Sequence, residues 1–144
     1  MATDRKAQVV WQGDLLHGSG TIEQVTSGAL GPLDVSWASR SEEPNGRTSP
    51  EELIAAAWAS CFSMALSNGL AQAGNPPEKL ETSATVTFQP GEGITRGVLT
   101  VRGTVPGLDE AGFREAAEDA KQNCPVSKAL AGIPDVSVEA SLAS

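Results

Sequence analysis

The chain has 144 residues, of which 40% are hydrophobic and 19% charged, and its 10 basic and 18 acidic residues give a formal charge of -8. A chain of this size can bury roughly two-thirds of the surface that its unfolded form exposes, so we expect one folded domain over residues 1–144. The negative charge argues against nucleic acid and anionic membrane surfaces as partners.

The N-terminal segment predicts a cytoplasmic location. Its sequence, MATDRKAQVVWQG, has an acid near the start and becomes strand-like at once, so it lacks the basic start and apolar run of a signal peptide. Ser60, Ser63 and Ser67 interrupt the longest apolar run, so the sequence predicts no membrane-spanning helix. In that compartment we expect the two cysteines to be free thiols or a redox pair rather than a structural disulfide.

Three short strands are predicted in the first third of the chain, at 7–13, 21–27 and 33–39. Apolar and polar residues alternate in these segments, and short glycine-containing turns separate them. This arrangement predicts an antiparallel meander. Arg40 ends the third strand, and a polar loop over 41–48 follows it.

The longest predicted helix runs from Ser49 to Gly74 and is apolar on almost all sides. Ser49 is a suitable N-cap, Pro50 takes the first helical position, and Glu51 and Glu52 lie in the first turn, where the helix dipole favours acids. A helix that is apolar all round needs cover on every side, and a single sheet covers only one face. We therefore expect an obligate homodimer with these helices at its centre.

The second half of the chain is predicted to contribute a pair of strands, two helices and a closing strand. The first of these helices ends at Cys124, because Pro125 disfavours helical geometry in the residue before it. The order of strands and helices along the whole chain is that of an α+β fold. The elements are expected at 80–89, 94–105, 110–123, 126–131 and 135–142.

Cys61 and Cys124 are the candidate reactive residues. A cysteine in an Ala-rich helix, such as Cys61, is most often a small buried hydrophobe, but the second cysteine favours a chemical role. At Cys124 the helix break leaves backbone N–H groups available to a thiolate. His17 is the only histidine, so the cysteines complete no zinc pattern and a serine hydrolase is not supported; no metal site is expected.

Arg40 and Glu51 are the charged residues that we expect to act on a cysteine. Arg40 is either a solvated side chain paired with Glu42 or Glu43, or a cation that lowers the pKa of a thiol. Glu51 either serves only the helix dipole or orients Arg40 through a bidentate pair. Ten residues of helix span about 15 Å, so Glu51 and Cys61 of one chain are far apart and we expect the partner chain to complete the site.

Two segments resemble the signatures of a known family. Residues 49–66, SPEELIAAAWASCFSMAL, are similar to the first signature of the OsmC/Ohr family of thiol peroxidases, and residues 123–130, NCPVSKAL, to the second. The start of the chain, with WQG and GSG, also resembles this family. Arg40 stands just before the helix, as in the osmotically inducible (OsmC) branch; in the organic hydroperoxide resistance (Ohr) branch the arginine lies much earlier.

The resemblance implies an intertwined homodimer in which antiparallel sheets wrap the paired central helices. It also implies a role for each candidate residue. Cys61 would be the peroxidatic cysteine and Cys124 the resolving cysteine. Arg40 would activate the thiolate, and Glu51 would orient Arg40.

The implied reaction is the reduction of organic hydroperoxides, and less well of hydrogen peroxide, in defence against oxidative and osmotic stress. The Cys61 thiolate attacks the peroxide, the resulting sulfenic acid condenses with Cys124, and a dithiol reopens the disulfide. The resemblance suggests a dihydrolipoyl protein as this dithiol and requires no cofactor or metal. The apolar pocket wall would contain Ile54, Trp58, Phe62, Met64 and Phe113.

One alternative comes from another functional class. In a non-enzymatic redox sensor the same cysteine pair would switch the binding of a partner. Repeated turnover of peroxide distinguishes an enzyme from such a sensor, which would react about once.

Overall fold

A computed structural model describes residues 1–143, and these form four helices and six strands. The strands make two three-stranded sheets, so the predicted α+β class is confirmed. The chain divides into two compact units, of which the first is Met1–Leu53 and the second begins at Ile54. The expectation of a single domain over the whole chain stays a prediction.

The first unit contains an antiparallel sheet of three consecutive strands. They are β1 (Ala7–Gln12), β2 (Ser19–Val25) and β3 (Leu33–Val35), in that order across the sheet. β1 pairs with β2, and β2 pairs with β3, both in antiparallel register. This is the meander that the alternating sequence predicts.

The third strand is shorter than predicted because a helix begins directly after it. β3 ends at Val35, and α1 (Trp37–Ser41) follows. The Ser36 hydroxyl accepts from the Ser39 backbone N–H, and the Ser39 hydroxyl accepts from the Ser36 backbone N–H, which is a reciprocal capping box. The prediction of a strand through residue 39 is therefore wrong, and Arg40 lies in the last turn of α1.

The long helix α2 (Pro50–Gln72) forms as predicted, with Ser49 as its cap. The Ser49 hydroxyl accepts from the Glu52 backbone N–H at 3.1 Å. One face of the helix is buried through four side chains spaced four residues apart, Trp58, Phe62, Leu66 and Leu70. Met64, on another face, is 72% exposed. Within one chain, α2 is thus covered on one side only.

By length and composition, α2 meets the requirements of a membrane-spanning helix. The sequence predicts no membrane-spanning helix because Ser60, Ser63 and Ser67 interrupt the apolar run, but these serines do not exclude a span by themselves. Only 22% of the most apolar 18-residue window of the helix is buried within this chain. The absence of a membrane partner stays a prediction.

The second unit contains a sheet of mixed direction. Its strands are β4 (Lys79–Gln89), β5 (Gly93–Thr104) and β6 (Asp135–Leu142), in that order. β4 and β5 are antiparallel, but β6 runs parallel to β5, which corrects the prediction of antiparallel sheets only. The helices α3 (Glu110–Asn123) and α4 (Pro125–Ala129) lie in the crossover that such a parallel pair needs.

Trp58 is accommodated in the core of the second unit by a glycine in β5. A Cβ atom at Gly97 would lie 2.7 Å from Cζ3 of the Trp58 ring. The Trp58 side chain is completely buried, so a displacement of its ring would disturb the packing of the core. The indole can therefore occupy this position only because residue 97 is a glycine, which has no side chain.

We predict that Gly97→Ala destabilises the protein, because overpacking of a filled core costs about 1–3 kcal/mol. Chemical denaturation followed by circular dichroism measures the loss in free energy of unfolding. Gly132→Ala is the matched control, because no atom lies within 4 Å of the corresponding Cβ position, and its effect should stay within about 0.5 kcal/mol. Equal losses in the two variants would contradict the prediction.

Candidate active site

Arg40 and Glu51 form a two-bond ion pair in the first unit. Nε of Arg40 donates to Oε1 of Glu51 at 2.9 Å, and Nη2 donates to Oε2 at 2.9 Å. Glu51 is only 6% exposed, whereas the Arg40 side chain is 33% exposed. A bidentate contact of this kind fixes the plane and direction of the guanidinium group. The pairing predicted from the sequence is present.

Hydrogen bonds from two neighbouring segments place Arg40 beside Glu51. The Ser39 hydroxyl donates to the Thr48 carbonyl at 2.9 Å, which ties α1 to the residues that precede α2. The Thr48 backbone N–H donates to the Asp34 carbonyl at 2.9 Å, which ties the same residues to β3. Arg40 follows Ser39 directly, so these contacts hold its backbone close to the first turn of α2.

Cys61 and Cys124 lie side by side in the second unit. Cys61 is on α2, Cys124 joins α3 to α4, and their Sγ atoms are 2.8 Å apart. Both are free thiols in this structure. Cys61 is half-buried, whereas Cys124 is completely buried. The fold thus brings together two cysteines that are 63 residues apart in the sequence.

The pKa values of the two thiols are shifted in opposite directions. Burial, followed by the hydrogen bond with Cys124, raises the pKa of Cys61 above the ordinary thiol value. Burial also opposes ionisation of Cys124, but hydrogen bonds from Cys61 and from the backbone and side chain of Ser127 hold the pKa of Cys124 below that value. Since the sulfurs share a hydrogen bond, the first ionisation belongs to the pair.

Trp58 and Ser127 connect α2 to α4 beside the cysteine pair. The Trp58 Nε1–H donates to Oγ of Ser127 at 2.8 Å. Ser127 also helps to hold the pKa of Cys124 below the ordinary thiol value. The sequence predicts Trp58 in a pocket wall but gives no sign of Ser127, because the two residues are 69 positions apart and no local pattern links them.

The predicted pocket residues have different environments. Trp58, Phe62 and Phe113 are completely buried in the core of the second unit, Ile54 is half-buried and Met64 is exposed. Trp58 also lines a cavity of about 370 Å³ together with Ser127 and other residues of the second unit. Contact between these side chains and a substrate stays a prediction.

No group of three or more His, Cys, Asp or Glu side chains that could hold a metal ion occurs within residues 1–143. His17 lies on the exposed turn between β1 and β2, where its Nδ1 is 3.1 Å from the Asp14 carboxylate. Hydrogen bonds from the side chain and backbone of His17 lower the pKa of Asp14. His17 thus has a local partner in the turn.

A half-buried cysteine on a long helix, in contact with a buried cysteine from a crossover segment, defines a dithiol protein of the α+β class. The model of the OsmC-like protein family matches residues 43–139. The chain belongs to this family, and the membership that its two cysteine motifs indicated is confirmed.

Two relatives and one solved structure illustrate the similarity. Peroxiredoxin OsmC of Escherichia coli (strain K12) is 41% identical over 133 residues, which cover 90% of this chain and 92% of that protein. The organic hydroperoxide resistance protein of Xanthomonas axonopodis pv. citri (strain 306) is 35% identical over 97 residues, or 63% and 65% of the two chains. The crystal structure of the organic hydroperoxide resistance protein OhrB of Bacillus subtilis matches with a TM-score of 0.64 at 25% identity, over 96% of this chain and 98% of that one. The higher identity and coverage with the OsmC relative agree with the predicted branch.

We predict that the reduced protein loses its first thiol proton below the ordinary thiol pKa and its second above it. The reason is that burial and the hydrogen bond with Cys124 favour the neutral form of Cys61, whereas hydrogen bonds that outweigh burial favour the anion of Cys124. Ultraviolet absorbance of the thiolate, measured against pH, should show two steps. In Cys61→Ala the remaining step should move up toward the ordinary value, because Cys124 loses the hydrogen bond from Cys61.

The control for this titration is the same chain unfolded in urea, in which both thiols should ionise together near the ordinary value. A single step at that value in the folded protein would contradict the prediction.

Proposed function

We propose that this protein is a thiol-dependent peroxidase that reduces organic hydroperoxides, and less well hydrogen peroxide, in defence against oxidative and osmotic stress. The observation that carries the proposal is the 2.8 Å separation between the Cys61 and Cys124 sulfurs. A sulfenic acid formed on one sulfur meets the other thiol without a large movement of the chain. Relatives named peroxiredoxin OsmC and organic hydroperoxide resistance protein support the same function.

In the proposed cycle Cys61 is the nucleophile and Cys124 the resolving cysteine. Cys61 is half-buried and therefore accessible to a peroxide, whereas Cys124 is completely buried. The Cys61 thiolate attacks the distal oxygen of ROOH, so that an S–O bond forms, the O–O bond breaks and the alcohol leaves with a proton. Cys124 then displaces hydroxide from the sulfenic acid to form the disulfide.

Arg40 and Glu51 are proposed to favour the thiolate of Cys61. Within the second unit the hydrogen bonds favour the anion on Cys124, so Cys61 needs a nearby cation before it can react first. The guanidinium of Arg40, oriented by its two bonds to Glu51, has the charge and the fixed direction for this task. It would also stabilise the charge on the leaving oxygen.

The remaining parts of the proposal concern substrate and reductant. An apolar wall from Ile54, Trp58 and Phe62 would favour organic hydroperoxides over hydrogen peroxide. A dithiol must reopen the disulfide, and we propose a dihydrolipoyl protein in the cytoplasm, where thiols are kept reduced. The cycle uses no metal or cofactor, and residues 1–144 act as one OsmC-like domain.

We also propose that the protein acts as a homodimer. The most apolar window of α2 is only 22% buried within the chain, and Met64 on that helix is 72% exposed. In β1 every residue is exposed, including Val9 and Trp11. Apolar surface of this kind marks an interaction site, and a second copy of the chain would cover it. In such a dimer, Arg40 and Glu51 of one chain would serve Cys61 of the other.

We predict that wild-type protein reduces cumene hydroperoxide over many cycles with dihydrolipoamide as reductant. Cys61→Ser should abolish the reaction, because it removes the nucleophile. Cys124→Ser should retain one stoichiometric oxidation but turn over poorly, because the sulfenic acid has no resolving thiol. The assay measures alcohol formed per mole of protein.

Two results of this assay would contradict the proposed peroxidase function. One equivalent of alcohol from wild-type protein, with no further turnover, would favour the redox sensor. Full activity in Cys61→Ser would exclude Cys61 as the nucleophile.

We predict that Arg40→Met and Cys61→Ser, each inactive alone, restore activity when combined in one dimer. A mixed dimer then has one site with Arg40 from one chain and Cys61 from the other. Random exchange should recover about a quarter of the wild-type activity, since half of the dimers are mixed and each has one complete site. Two affinity tags allow the mixed dimer to be isolated. An inactive mixed dimer would show that each chain supplies its own arginine.

A further inference from the structure

A hydrogen bond between Trp58 and Ser127 joins the same two segments as the contact between the cysteines. We propose that Trp58 and Ser127 are positioning residues for the disulfide. Their bond holds α4 against α2 and so keeps Cys124 within reach of Cys61 while both are thiols. The inference rests on the proposed peroxidase function and concerns how the disulfide of that cycle closes.

The hydrogen bond and the sulfur contact lie about one helical turn apart. On α2, Trp58 precedes Cys61 by three residues, which is slightly less than one turn. On the other side, Ser127 follows Cys124 by three residues and lies in α4. Nε1 of Trp58 donates to Oγ of Ser127 at 2.8 Å, and the two sulfurs are also 2.8 Å apart. A movement of α4 away from α2 would therefore break the hydrogen bond and separate the sulfurs together.

The helix α4 depends on contacts of this kind for its position. It has five residues, none of them fully buried, and helices shorter than about 12 residues are marginal in isolation. Among the described residues, no side chain caps its N-terminus. The Lys128 backbone N–H donates to the Cys124 carbonyl at 3.1 Å, so the backbone of Cys124 belongs to the first turn of this helix. The position of Cys124 is thus coupled to that of α4.

The position of Trp58, in contrast, is fixed by the core. Its side chain has no exposed surface, and its ring fills the space that a Cβ atom would need at Gly97. A buried indole N–H needs an acceptor, because burying it unpaired costs free energy. The Ser127 hydroxyl is that acceptor. The donor of the bond is therefore held in place by the core, and the bond restrains the segment that carries the acceptor.

The chemistry of closure explains why this restraint matters. The Cys124 thiolate attacks the sulfenyl sulfur of Cys61, so that the S–S bond forms and the S–O bond breaks. Hydroxide leaves and takes up a proton to become water, and no further oxidant or reductant is required. Groups already held in the reacting geometry combine more favourably, because the entropy of bringing them together has been lost beforehand. The bond from Trp58 to Ser127 confines α4 in the dithiol form, so closure of the disulfide loses less entropy.

The test measures how this bond changes the equilibrium between the dithiol and the disulfide. Wild type, Trp58→Phe, Ser127→Ala and the double variant are equilibrated with mixtures of dihydrolipoamide and lipoamide, which exchange two electrons with the cysteine pair. Mildly acidic buffer keeps the thiols protonated, so a change in their pKa contributes little. Mass spectrometry after acid quenching and alkylation gives the fraction of disulfide. Each single variant should lower the equilibrium constant for disulfide formation about threefold to tenfold, as expected for the loss of one hydrogen bond.

Three comparisons identify the bond as the cause. If the two residues act through their mutual bond, the double variant should match either single variant within about twofold. Ser127→Thr keeps the hydroxyl, and residue 127 lines a cavity of about 370 Å³ that can take the extra methyl group, so this variant should return the wild-type constant. Leu70→Ala is the matched control for general damage. Leu70 is buried on the same face of α2, about two and a half turns beyond Cys61, so its loss should lower stability and leave the constant unchanged.

The outcomes separate this inference from the proposed function. Unchanged constants in Trp58→Phe and Ser127→Ala, losses that multiply in the double variant, or an equal loss in Leu70→Ala overturn the positioning role and leave the peroxidase intact. Wild-type protein in which dimedone traps no sulfenic acid after cumene hydroperoxide overturns the peroxidase, and the role of the bond in its cycle with it. Losses that do not multiply and that Ser127→Thr restores support the assignment. If Trp58→Phe does not fold, the comparison of Ser127→Ala with Ser127→Thr and Leu70→Ala carries the test.

Discussion

The burial of one face of α2 is the constraint on which the geometry of the cysteine pair depends. Each large apolar side chain on that face contributes about 1.5–3 kcal/mol by leaving water. Cys61 lies between Trp58 and Phe62 in the sequence, so the packing of these two rings fixes its position. Cys124 belongs to the same buried cluster. The contact between the sulfurs therefore follows from apolar packing and needs no attraction between the sulfurs themselves.

In the proposed cycle the two cysteines must ionise in a fixed order, which the surrounding charges and hydrogen-bond donors can set. The proposed cycle needs an anion first on Cys61 and then on Cys124. Hydrogen bonds within the second unit favour the anion on Cys124, which suits the later step. The earlier step would need the guanidinium of Arg40, whose direction is fixed by Glu51. Separate sets of residues would then control the two ionisations, although the sulfurs are in contact.

Much of this structure follows from local sequence patterns. The cap at Ser49 and the break at Pro125 both act through neighbours in the chain, and the elements they predict are present. The Arg40–Glu51 pair was also within reach of sequence reasoning, because its members flank one short loop.

The features that sequence reasoning missed depend on competition between two local structures or on contacts between residues that are far apart in the sequence. Residues 36–39 alternate like a strand, but reciprocal capping by Ser36 and Ser39 favours a helix there. The parallel direction of β6 is set by the crossover of α3 and α4, which periodicity along the strand does not report. The bond from Trp58 to Ser127 requires the fold itself, since neither residue carries a local sign of the other.

The complete burial of Cys124 also bears on which sulfur of the disulfide the reductant would attack. In a disulfide between the two cysteines, an incoming dithiol would reach the half-buried Cys61 sulfur first. The mixed disulfide would then form on Cys61, with Cys124 as the leaving group. A thiol of low pKa leaves faster, so the donors that prepare Cys124 for attack would also ease its departure. One buried sulfur would thus serve as nucleophile when the bond closes and as leaving group when it opens.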